Sequence, residues 1–100
     1  MFAAMAIALV TRLGDLSAYP ELARYADLPR DVRVFIDRRM GCNHWLGEAA
    51  YDRDRAREID RALRQLACVR LDLDESRLKR RHFRSPRVLK ALDETRDHLW

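Results

Sequence analysis

Cys42 and Cys68, with His44 and His82, are the side chains of this sequence whose types could do chemistry together. Two sulfurs and two imidazole nitrogens are a preferred donor set for tetrahedral zinc, but structural zinc sites pair their ligands as C-x(2-4)-C and H-x(3-5)-H. Here Cys42 and His44 are separated by one residue and the other two donors are scattered, which fits neither pattern. A nucleophilic Cys42 with His44 as its base is weaker still. Neighbours two apart rarely present a thiolate and a base to one substrate, and no motif supplies an oxyanion hole. Glu48 with Asp52, or Asp52 with Asp54, offers the two carboxylates that glycoside chemistry uses. Asp52 is explained more simply as a helix cap. The reading therefore assigns no catalytic residue, no cofactor and no metal, and keeps zinc at Cys42, His44, Cys68 and His82 as an alternative.

The two cysteines are the whole complement of a 100-residue chain. In an oxidising compartment that pattern suits a disulfide, and in the cytosol two buried free thiols packed as small hydrophobes. Reach permits the bridge: a helix from Asp52 to Cys68 is about 24 Å long, and a ten-residue loop after Cys42, at ~3.3 Å per extended residue, can run back along it. A bridge closing a loop of this size stabilises a fold by about 3 to 4 kcal/mol on the chain-entropy account. For a domain whose total is ~5 to 15 kcal/mol, that is a large share.

The elements that must position these residues are readable from punctuation. Tyr19-Pro20 opens a short helical turn through Ala26, with Glu21 in its first turn. Asp27-Leu28-Pro29 opens a helix whose Val32, Phe35, Ile36 and Met40 share one face, and Gly41 is expected to stop it. The stretch GCNHWLGEAAYD, residues 41 to 52, then reads as a loop. Asp52 caps the next helix, to about Cys68, where Ala56, Ile59, Ala62, Leu63 and Leu66 form the cleanest apolar stripe of the chain. Asp72 with Glu75 forms a capping box for a further helix that buries Leu78 and Phe83. Ser85-Pro86 caps the last, with Val88, Leu89 and Leu92 facing inward. No segment alternates with period two, and there is no internal repeat or linker. The expectation is a single all-α domain, residues 1–100, of four to five short helices around one core.

Composition excludes a disordered or collagen-like chain: 48% of residues are hydrophobic, with three glycines and three prolines. Residues 1–10, MFAAMAIALV, are apolar but too few to cross a ~30 Å hydrocarbon core, which takes about 20 in a helix. A secretory leader would place basic residues before such a run, and the first charge here is Arg12. The run is read either as a first core helix over residues 2 to 13 or, within a flexible or leader-derived segment over residues 1–18, as a truncated leader.

The net charge of +4 permits an acidic partner. Arg77, Lys79, Arg80, Arg81, His82, Arg84, Arg87 and Lys90 gather where the last two helices join. A helix-turn-helix with its recognition helix opened by Ser85-Pro86 would use Arg80, Arg81, Arg84 and Arg87 on nucleic acid. A solvated helix face accounts for the same cluster, which has no aromatic interleaving.

Phe35 to Arg39, Gly41-Cys42-Asn43-His44-Trp45, Gly47-Glu48, Tyr51-Asp52, Ile59, Cys68 and Leu78 to Arg81 together resemble a group of small uncharacterised proteobacterial proteins, often preceded by a signal peptide or lipoprotein leader. The similarity covers about residues 28 to 92 and is most specific in the pattern G-C-[N/D]-H-[W/F]-x-G-E. The resemblance implies export and a bridge between Cys42 and Cys68, and carries no known activity. The resulting expectation is a periplasmic or secreted, non-catalytic protein with a binding or structural role, using Asn43, His44, Trp45 and Glu48 as a surface for a protein partner. The alternatives are nucleic-acid binding through the basic cluster and metal binding through the Cys/His set.

Overall fold

The computed structural model describes residues 20–96, with side chains from Leu22 onward, as one small α-helical domain. The two readings of residues 1–18 lie outside the described residues. The chain opens with a 3-10 turn, η1 (Pro20–Tyr25), followed by α1 (Arg30–Leu46), α2 (Arg53–Gln65), a second 3-10 turn, η2 (Cys68–Arg70), α3 (Leu71–Arg81) and α4 (Pro86–Arg96). There is no strand among the described residues.

α1 is the central element and packs against each of the other three helices. Its start follows from Pro29, whose backbone is held at φ −52° and whose carbonyl accepts from the amides of Val32 and Arg33. Val32, Phe35, Ile36 and Met40 are buried as the spacing predicts. They join Leu22, Tyr25 and Leu28 from the N-terminal turn and Val88, Ala91 and Leu92 from α4, with Leu71 and Leu78 packed on the outside. α2 contributes no buried residue.

Gly41 does not stop α1. The helix continues another turn and a half, so residues 41–46 of the expected loop are helical and the connection shrinks to residues 47–52. Gly41 serves instead as a point of close approach. A Cβ at that position would sit 3.2 Å from Cδ1 of Leu66, the residue that caps the end of α2. The first connection fails to break the helix because Gly41 keeps helical geometry; Gly47 caps it, its amide donating to the carbonyls of Asn43 and His44.

Asp52 caps α2 as expected, its Oδ1 accepting from the amide of Arg55 at 2.7 Å. The helix ends at Gln65, three residues short of the expected end. Ala67 turns the chain with φ 51° and ψ 48°, a left-handed conformation that costs an alanine roughly 1 kcal/mol. That turn directs Cys68 back towards α1.

The other corrections concern α3. It starts at Leu71, continuing directly from η2, and no side chain caps it. Glu75 is therefore not the return half of a capping box; it points into the protein interior. Phe83 lies past the helix and is 64% exposed, with the guanidinium of Arg84 5.2 Å over its ring. Ser85 does cap α4, accepting from the amide of Val88 at 3.2 Å, and Val88 and Leu92 are buried while Leu89 is half-buried.

Candidate functional site

Cys42 and Cys68 form a disulfide, with Cα atoms 5.7 Å apart. Cys42 lies in the last two turns of α1 and is completely buried; Cys68 opens η2 and is half-buried. The bond settles which of the three cysteine readings holds: there are no free thiols in the chain. The zinc alternative fails with it, because its two thiolate ligands are joined to each other. Its histidines are also far apart. His44 is near the end of α1, whereas His82 binds Asp31 at the start, thirteen residues or ~20 Å away along the helix. The nucleophilic reading of Cys42 fails for the same reason.

The bridge does not require the long return loop drawn from the sequence. Both ends of α2 meet the last turns of α1 or the connection just after them. At its start, Arg55 reaches Glu48 and Trp45; at its end, Leu66 touches Gly41 and Cys68 bonds to Cys42. α2 therefore lies across the C-terminal part of α1, held at both ends.

Three of the four residues expected to form a binding surface come together at the first of these ends. Nε2 of His44 lies 3.3 Å from Oε1 of Glu48, and the other carboxylate oxygen accepts from Nη2 of Arg55 at 3.1 Å. The Arg55 guanidinium stands 5.2 Å from the Trp45 ring and also binds Glu58 at 2.9 Å. His44 meets the edge of Trp45 in a T-shaped contact, centroids 5.6 Å apart. Asn43 is half-buried and participates through its carbonyl, which accepts from Gly47. The arrangement is a clasp: Glu48 is shared between an imidazole and a guanidinium, and the guanidinium caps an indole face. Arg55 was missed from the sequence, where it is one arginine among several in an Arg-rich helix. Its position three residues after the Asp52 cap was the available signal.

At the other end of α2 lies a feature that sequence reasoning overlooked. Leu46, Leu63, Ala67, Cys68 and Val69 line a cleft of about 440 Å³, open to solvent. Leu46 is 64% and Val69 98% exposed. The apolar stripe of α2, expected to be core, is half-buried at Ile59, Ala62, Leu63 and Leu66 and exposed at Ala56, and of these Leu63 lines the cleft.

The basic cluster is not gathered into one free surface. Arg87 binds Asp27, its Nε donating to Oδ2 at 3.1 Å, and Arg81 lies 3.5 Å from Asp31. Arg80 and Arg84 are exposed. Asp93 and Glu94 stand on the exposed side of α4, with Lys79 bound to Asp93 at 3.0 Å. Lys79 holds the Asp93 carboxyl below the ordinary carboxylate range, and Arg87 does the same for Asp27.

A polar cluster of Arg39, Glu75 and Thr95 is buried beside the core. Arg39 donates to Oε1 of Glu75 at 2.8 Å, to the carbonyl of Leu92 at 2.7 Å and to Oγ1 of Thr95 at 3.0 Å, and packs over the Phe35 ring. Arg96 binds the second Glu75 oxygen at 2.8 Å. Burial alone would raise the Glu75 pKa, but the hydrogen bonds and charges of the two arginines outweigh it and hold the carboxyl low. Asp31 behaves the same way: burial raises it, and His82, the Val32 amide and Arg81 pull it below its usual value.

No helix among the described residues is long and apolar enough to cross a membrane. Comparison with protein-family models, curated proteins and solved structures found no match.

Proposed function

We propose that this chain is a non-catalytic protein-binding domain of an oxidising compartment, periplasmic or extracellular, that meets its partner with the surface around the crossing of α1 and α2. The observation that carries the reading is the open apolar cleft beside the disulfide. Leu46 and Val69 stand exposed around it beside Leu63, and apolar side chains grouped about an open cleft suit a binding site. The clasp of His44, Trp45, Glu48 and Arg55 supports it by fixing the start of α2, so that the cleft wall is held in place before a partner arrives. The disulfide supports the compartment, since such bonds persist where thiols are oxidised.

The nucleic-acid reading has less behind it. Two of its four arginines are engaged by carboxylates, and a helix presenting Asp93 and Glu94 to phosphates would repel them.

A photoreactive side chain placed at position 69 and activated in the native cells tests the proposal. The expected product is a covalent adduct with a second, different polypeptide, absent when the same group is placed at position 77 on α3 and reduced in a Trp45→Ala background that stays folded. Adducts of equal yield at positions 69 and 77, or none at 69, would sink the reading.

A further inference from the structure

The partner's chemistry can be read from what lies next to the cleft. A second, shallower depression of about 320 Å³ runs along the outer side of α2, lined by Arg57, Arg61, Gln65 and the pair Asp60 and Arg64, which it shares with the apolar cleft. The two depressions are therefore one continuous surface with an apolar floor and a basic flank. Arg57, Arg61 and Arg64 recur at i, i+4 and i+7, which sets them in a row along one side of the helix. Asp60 is the single acid among them, bound to Arg64 at 3.0 Å. Arg57 is only 3.7 Å from the fully solvated Asp54, a weak surface pair, and Arg61 forms no ion pair among the described residues. Arg57, Arg61 and Arg64 thus outnumber Asp60 by two charges, with only the weak Asp54 contact set against that excess among the described residues.

Resting on the protein-binding reading above, we propose that the cleft takes an amphipathic helical segment of another protein, with its apolar stripe on Leu46, Leu63 and Val69 and acidic side chains along its edge against Arg57, Arg61 and Arg64. Apolar residues at i, i+3, i+4 and i+7 match a concave apolar floor, the usual way a helix enters a groove. Acidic edge residues match the arginine row and give register and orientation as well as attraction. A lipid surface is the other occupant that these exposed side chains suit, and the vesicle arm of the test separates the two.

The test uses the oxidised full chain and three synthetic peptides of fourteen residues, identical in their leucines and carrying Glu, Gln or Lys at the edge positions. Calorimetric titration at low ionic strength is expected to rank them Glu, then Gln, then Lys, with at least a tenfold gap between the first and last that narrows as salt is added. The Arg57→Glu, Arg61→Glu double variant should reverse that order. Val69→Asp should abolish binding of all three; because Val69 is almost wholly exposed, this change leaves the fold intact, which circular dichroism verifies. Equal affinity for the three peptides would overturn the proposal. So would a stable dimer of the chain that Val69→Asp dissociates, or binding to phosphatidylglycerol vesicles with no binding to any peptide. If cross-linking at position 69 yields a protein adduct in cells and none of the peptides binds, the general protein-binding reading stands and the acidic-helix assignment falls.

Discussion

Glu75 places a carboxylate in the interior of a small domain, and its partners explain why it stays charged. Arg39 and Arg96 each give it a short, charge-assisted hydrogen bond, and Arg39 spends its remaining donors on Leu92 and Thr95, so the group spans α1, α3 and α4. Replacing both charges with well-packed apolar groups can be nearly neutral, whereas removing one leaves the other buried and uncompensated. Glu75→Ala should therefore cost about 3 to 5 kcal/mol, read from the urea midpoint at neutral pH. The acid limb follows from the sign of the shifts. Glu75 and Asp31 have folded pKa values below their unfolded ones, so their stabilisation is complete above the unfolded carboxylate range and is lost as pH falls through the folded values. Wild type should lose stability below about pH 4, and Glu75→Gln should flatten that limb. An equally steep limb in Glu75→Gln would show that the pair does not govern it. None of this was visible in the sequence. Glu75 sits three residues after an aspartate at a helix start, where a capping role is the ordinary local reading, and only the approach of Arg39 from thirty-six residues away decides otherwise.

At the level of elements, the caps were legible and the contacts were not. Asp52 and Ser85 act within three residues of themselves, so local sequence suffices to place them. Gly41 was misread because a glycine at a helix end and a glycine at a crossing point look alike until the second helix is in view. Leu66 provides that view, 3.2 Å from where a Cβ would stand. A longer side chain at position 41 has to displace Leu66 at the point where the disulfide draws the two helices together. Gly41→Leu should accordingly lower stability by about 1 to 3 kcal/mol, despite leucine's better helix propensity. A thermal melt showing a gain would mean that α2 is free to move away. The apolar stripe of α2 was correct in periodicity and wrong in fate. Periodicity identifies which residues share a face, and it cannot tell how fully the rest of the chain covers that face.

For the molecule as a whole, the described residues divide into a core and an outrigger. η1, α1 and α4 supply the buried cluster, with Leu71 and Leu78 of α3 packed against it; α2 supplies none of it and is held by the disulfide, the Leu66 contact and the Arg55 clasp. The all-α class and the cysteine pairing were accessible from pattern and composition, because both depend on residues near in sequence or on a count of two. The cleft was not, since it forms where the end of α1 at Leu46 meets the later part of α2 and η2. The proposed function inherits that geometry: a wall built on a weakly buried helix keeps its shape only while it is fastened.

The claim that the disulfide is what fastens α2 is tested most directly by amide hydrogen exchange on the oxidised and reduced protein, measured segment by segment. Reduction should strip protection from residues 53–70 while residues 32–40 and 88–95 retain theirs. Uniform loss across all three segments, or undiminished protection in α2, would contradict it.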